Sequence, residues 1–195
     1  MLFAGGKRLA SEDEIPFRNL IVFDKGIPVH DKAAHIDLSP TTEPLSLKVK
    51  ATLSWQSLAP LVSVIEDHWY TYSFYAKISN MPGGVFLYTN TGQFDDQPGI
   101  VDLSSWKLQV NGTRVSALRE SNGLDLTNYI RQNNLQNTEM KISVTFRASK
   151  SGQTGFVLES DASGFEWYAG LWKFQETPWL KEITDLQNQI DQLKK

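Results

Sequence analysis

From Asn19 onward, apolar and polar positions alternate in short runs that are broken by Gly, Pro, Asn and Asp at the intervals of an antiparallel sandwich. Strands are predicted near 20–24, 33–38, 45–55, 69–79, 84–90, 106–110, 113–118, 140–148, 154–159 and 166–174. Side chains alternate across a strand, so Tyr70, Tyr72, Phe74, Ala76 and Ile78 share one face while Thr71, Ser73, Tyr75 and Lys77 share the other. The first set is expected in the core. The segment 140–148 repeats the pattern, with Ile142, Val144 and Phe146 inward and Lys141, Thr145 and Arg147 toward water.

Trp106-Lys107-Leu108-Gln109-Val110 runs into Asn111-Gly112 and then Thr113-Arg114-Val115, which predicts a hairpin on a type I′ turn, where both central residues need positive φ. Asn111-Gly112-Thr113 also spells a glycosylation acceptor, but the turn explains it without a secretory route. Leu126, Tyr129 and Ile130 follow Asp125 at helical spacing, so one short helix is expected there. The tail changes period. Trp179, Ile183, Leu186, Ile190 and Leu193 step by four and three residues, flanked by Glu182, Gln187, Gln189 and Lys194, the register of a coiled-coil seam. A helix this short is marginal alone in water, so it packs either on copies of itself or back on its own sandwich. The narrow stripe favours the former, without fixing two strands or three.

Length and composition agree with this layout. The 195 residues contain no Cys, which removes thiol nucleophiles, thiolate metal sites and disulfides, and 41% of positions are hydrophobic. Net charge is −3, with no basic block to neutralise a run of phosphates, so nucleic acid is not an expected partner. No apolar run reaches the length of a membrane span, and Met1 to Arg8 places its charges after a short apolar start, opposite to a secretory signal. Residues 1–18, with Gly5-Gly6 and the acidic Glu12-Asp13-Glu14, read as an attachment arm or a frayed terminus, ahead of a sandwich at 19–178 and an oligomerising helix at 179–195.

Catalytic chemistry is sparse. His30 and His35 fall on opposite faces of a strand, His68 stands apart, and no nucleophile elbow, metalloprotease helix or phosphate loop occurs. Glu66-Asp67 and Asp95-Asp96 sit beside turn residues, and Phe94 to Gly99 offers oxygen ligands for calcium without the alternating spacing of a calcium loop. No catalytic residue, metal or cofactor is therefore expected. Aromatics are richer, with six Trp, six Tyr and ten Phe. Sugar rings stack their C–H faces on flat aromatic surfaces, and Trp69, Tyr75, Tyr88 and Trp106, at strand ends or opposite the core face, are the rings expected to be exposed for that role.

Trp69-Tyr70-Thr71-Tyr72-Ser73-Phe74-Tyr75-Ala76-Lys77 resembles a strand of jelly-roll domains of the carbohydrate-binding-module type. The segment from Trp167 to Thr177-Pro178-Trp179 is similar to the ending of such domains in tailed-bacteriophage structural proteins, and Arg18-Asn19-Leu20-Ile21 is similar to their opening. The family's Lys-Leu-Glu-x-Gly run is Lys173-Phe174-Gln175-Glu176 here, without the Gly. The resemblance implies an all-β antiparallel jelly-roll sandwich on a virion, in a tail tip, baseplate or fibre that meets the host surface. It implies a homo-oligomer, with a trimer favoured, residues 1–18 docked on other virion proteins, and host cell-surface polysaccharide as the outward partner. No ligand residue transfers from the family. Two alternatives remain beside glycan binding: an adaptor or decoration protein that touches only other virion proteins, and a glycan-cleaving module using Glu66, Asp67, Asp95 or Asp96.

Overall fold

A computed structural model describes residues 2–4, 7–10, 21, 23–24, 27–28, 35–41, 45, 47–58, 60, 62–90, 100–116, 118–120 and 123–193. Two short hairpins come first, β1 (Leu2–Ala4) with β2 (Lys7–Ala10) and β3 (Phe23–Asp24) with β4 (Ile27–Pro28). The predicted arm thus contains the first hairpin, while its residues 11–18 lie outside the described set.

The rest of the strands form two sheets. The larger runs β11 (Thr113–Arg114), β10 (Val101–Val110), β14 (Glu139–Ala148), β8 (Trp69–Asn80), β16 (Glu166–Glu176), β6 (Leu47–Ala51), β5 (Ile36–Pro40). The smaller runs β12 (Leu118–Glu120), β13 (Gly123–Asp125), β9 (Val85–Asn90), β15 (Gly152–Ser160), β7 (Val62–Val64). From β6 onward the chain passes repeatedly between the sheets, and the blocks β14-β8-β16-β6 and β13-β9-β15-β7 have the strand order of a jelly roll. The predicted fold class therefore holds: an all-β antiparallel jelly-roll sandwich, with a short helix α1 (Thr127–Gln132) and a terminal helix α2 (Pro178–Leu193).

The period-two reading correctly places the core. Tyr70, Tyr72, Phe74, Ala76 and Ile78 of β8 and Ile142, Val144 and Phe146 of β14 are buried against Phe156 and Leu158 of β15 and Val85 and Leu87 of β9. Phe156 is the hub, with ring centroids 5.1 Å from Tyr72, 5.2 Å from Phe146 and 5.3 Å from Trp106. The Asn111-Gly112 turn also forms as expected, with φ of 51° and 79° and Val110 paired to Thr113. Ahead of α1, Asp125 accepts the Thr127 N–H at 2.7 Å, although Leu126 occupies the cap position.

Two irregularities lie beside buried aromatics. In β16 one extra residue lies between Gly170 and Lys173, with Leu171 at φ 52° and exposed. Plain alternation from Trp167 would turn Trp172 and Phe174 outward; the bulge reverses the parity, and both pack in the core. In β10 the register slips between Asp102 and Lys107, and beyond the slip Trp106 shares the inward face of Leu108 and Val110 and packs on Phe156. This strand begins at Val101 rather than near 106, so part of the polar stretch expected as a loop is sheet; residues 91–99 lie outside the described set.

The tail is helical as predicted, and its stripe from Ile183 to Leu193 does not pack on the sandwich, while the side chain of Trp179 lies outside the described residues. Ile183, Leu186, Ile190 and Leu193 are 45–87% exposed in the single chain. The corner ahead of the helix is tied down, because the Thr177 N–H donates to the Trp69 carbonyl at 2.7 Å.

Candidate functional site

The outer faces of the two sheets differ in chemistry. On the larger sheet, Lys48 and Lys50 pair with Glu166 at 2.7 and 3.4 Å, and Lys48 and Lys77 lie over the Tyr168 ring. The Lys48 hydrogen bond holds the Glu166 carboxyl below the usual range. Arg147 is bonded to Asp102 at 2.7 Å. These charges are largely answered within the sheet.

The smaller sheet carries an aromatic cluster on its outer face. In β9, Val85 and Leu87 point into the core, so Phe86 and Tyr88 point away from it. Trp55 joins them from the segment after β6, with its ring centroid 5.2 Å from Phe86 and 5.7 Å from Tyr88; the Phe86 and Tyr88 centroids are 5.9 Å apart. The rings form a triangle rather than a stack. Trp55 is 41% exposed and sits at φ 56°, a left-handed conformation that is uncommon for a bulky residue. Its N–H donates to the Ser160 carbonyl at 2.7 Å, and the same segment is anchored by the Thr52 N–H and hydroxyl, both on the His35 carbonyl. Backbone strain held open to solvent by fixed bonds is a feature that accumulates at functional sites.

Two glycines make room for the rings. A Cβ on Gly123 would lie 2.4 Å from the Tyr88 ring, and one on Gly84 would lie 2.7 Å from the Phe86 ring. The rings therefore rest directly on backbone. Gly123→Ala is expected to push Tyr88 off its seat and to cost about 1–3 kcal/mol, as overpacking does, read from urea denaturation. A cost near zero would show that the ring is loosely held.

Beside the rings stands a carboxyl. Glu159 of β15 is directly opposite Phe86, and Asp125 of β13 flanks Phe86 on its other side in the same row. Burial alone pushes the Glu159 carboxyl up to about 7. An acid raised in the folded state contributes its stability in full below its unfolded value of 4.5 and loses it as pH rises through about 7. Stability is expected to decline over that window, and Glu159→Gln to remove this component. An unchanged slope in the variant would contradict the burial.

Of the four rings proposed from sequence, only Tyr88 belongs to this cluster. Tyr75 lies half-buried on the outer face of the opposite sheet, between Lys141 and Gly170. Trp69 and Trp106 are buried, against the expected exposure. Lys107 covers the Trp69 ring at 5.3 Å, and alternation with Leu108 and Val110 puts Trp106 in the core. Among the proposed acids, Glu66 and Asp67 are exposed in the turn after β7, while Asp95 and Asp96 lie outside the described residues, as does His30. His35 is exposed before β5, and His68 is bonded to Glu176 at 2.7 Å, away from the ring cluster. Among the described residues, no three His, Asp or Glu side chains converge as a metal site requires, and no helix is long and apolar enough to cross a membrane.

Strand order and core together define an all-β jelly-roll sandwich. No protein-family model matches the chain, and no curated protein sequence matches it. Among solved structures it is similar to a candidate sugar-binding protein from Bacteroides thetaiotaomicron VPI-5482, at 10% identity and TM-score 0.41, covering 76% of this chain and 86% of that one. It is also similar to the arabinose-bound α-L-arabinofuranosidase MgGH51, at 14% identity and TM-score 0.40, covering 82% of this chain but 25% of that one.

Proposed function

We propose that this chain is a non-enzymatic structural protein of a bacteriophage virion, part of a host-facing tail tip, baseplate or fibre, which holds host-surface glycan on the outer face of its smaller sheet. The triangle of Trp55, Phe86 and Tyr88 carries the reading. With Trp55 exposed, Tyr88 half-buried and Phe86 buried beneath them, the cluster offers a sugar the apolar half of a binding site, and Glu159 and Asp125 offer the polar half. The exposed seam on α2 supports a homo-oligomer, with a trimer favoured, in which several such faces point at one surface. The virion setting rests on the resemblance of segments 18–21, 69–77 and 167–179 to phage appendage modules.

The test is retention of the full chain on purified bacterial cell-wall polysaccharides, with reducing ends assayed in the same samples. Wild type should be retained, Tyr88→Ala should pass through, and no reducing ends should appear. Absence of retention on every polysaccharide would leave an adaptor that binds only virion proteins. Release of reducing ends would make the chain a hydrolase.

A further inference from the structure

Sugars differ most sharply, to a protein, in whether they carry charge, and the ring cluster has a marked charge bias. Glu159 and Asp125 flank Phe86 from either side, and Asp161 follows on the turn after β15. Asp125 is engaged with the Thr127 N–H and Asp161 with the Gly84 N–H, both at 2.7 Å. Glu159 has no hydrogen-bond or ion-pair partner among the described residues, and it is half-buried. Among the described side chains, the elements around it supply no cation. β9 offers Phe86 and Tyr88, β13 offers Asp125, and the segment from Thr52 to Gln56 contains no titratable side chain.

The open Trp55 ring, the half-buried Tyr88 ring beside it and an unanswered carboxylate are complementary to one kind of group. A ring face attracts a cation through its quadrupole, most strongly where water is excluded, and a desolvated carboxylate is stabilised by a counter-charge. A neutral sugar would satisfy the rings and leave the carboxylate uncompensated. We infer that the Trp55–Phe86–Tyr88 face selects glycans bearing a protonated amine, with Glu159 as the residue that reads the ammonium group. This rests on the glycan-binding reading above and narrows its ligand class to amino sugars whose nitrogen is not acylated.

The pH dependence gives the inference its sign. Ammonium binding needs the ionised carboxylate, and burial raises the free Glu159 carboxyl to about 7. Affinity for an amine-bearing glycan should therefore strengthen as pH rises from 5.5 toward about 6.5 and fall again by 7.5, because the amino-sugar nitrogen is a weak base that loses its proton over that range. A neutral glycan that accepts a hydrogen bond from the protonated carboxyl would instead weaken across the whole range. Tyr88, Asp125 and Asp161 are the other titratable groups near the face, and the acids among them are already bonded to backbone N–H groups.

The experiment is calorimetric titration of the full chain with a glucosamine oligosaccharide and with its fully N-acetylated counterpart, from pH 5.5 to 7.5, on wild type and Glu159→Gln. The amine form should bind wild type about tenfold more tightly than the N-acetyl form at about pH 6.5. Glu159→Gln should lose that preference, with a cooperative thermal melt certifying that the variant is folded. Equal binding of both sugars by wild type, or an unchanged preference in Glu159→Gln, would overturn the amine selectivity and leave the ring platform standing. Binding of neither sugar would overturn the amine selectivity too, and retention on the cell-wall polysaccharides would then decide whether the platform reading survives.

Discussion

Phe156→Ala is expected to destabilise the sandwich by about 3–5 kcal/mol, the range for deleting a buried aromatic ring. Phe156 is 1% exposed and lies against Tyr72, Phe146 and Trp106, which come from three strands of the facing sheet. Removing it opens a cavity whose walls are themselves large rings held by neighbouring strands, so they cannot close over the gap. For a domain of this size the midpoint of thermal unfolding should drop on the order of 10 °C. Phe156→Leu keeps most of the volume and should cost far less. Calorimetric melting of both variants checks the pair, and a small effect from alanine would mean that the two sheets pack loosely at their centre.

Removal of α2 has the second large effect. The full chain is expected to run as a trimer in light scattering, and a version ending at Pro178 as a monomer with the same melting point. Four exposed apolar side chains at spacing 4-3 leave a helix of sixteen residues with no reason to persist alone. Burying them against copies of the same stripe supplies that reason. The Thr177–Trp69 bond ahead of the cut keeps the corner of the sandwich closed. Linked sites on one surface gain avidity, so apparent affinity for immobilised glycan should fall about 10²–10⁴-fold on truncation, with affinity for soluble oligosaccharide unchanged. A full chain that is monomeric would remove the seam from the account.

The core and the tail were legible because a period carries them. Tyr70 to Ile78 and Ile142 to Phe146 bury one face of an uninterrupted strand, and alternation is all that is needed to name that face. Asn111-Gly112 was legible because positive φ at both turn residues is a local demand with a local answer. The ring cluster proposed to hold glycan was not, for two physical reasons. Its rings come from β9 and from a segment some thirty residues earlier, and the alternation of Leu47, Val49 and Ala51 continues through Leu53 and Trp55, so nothing local announces that the strand stops at Ala51. The strain at Trp55 becomes visible only when its N–H is seen on Ser160. Likewise, the sequence places Glu159 on an outer face, but its desolvation belongs to the assembled surface. Trp69 misled because its covering lysine comes from another strand, whereas the burial of Trp106 was legible from its alternation with Leu108 and Val110.

The most direct measurement is the affinity of three proteins for a retained glycan: wild type, Trp55→Ala and Tyr75→Ala. The Trp55 ring packs on the outer face of the smaller sheet and Tyr75 lies on that of the larger, and both are partly open to solvent. Loss of a central aromatic anchor typically weakens binding about 30-fold or more. Trp55→Ala should show that loss at an unchanged melting point, and Tyr75→Ala should bind as wild type does. The reverse pattern, with Tyr75 essential and Trp55 dispensable, would put the glycan on the larger sheet and contradict the site described above.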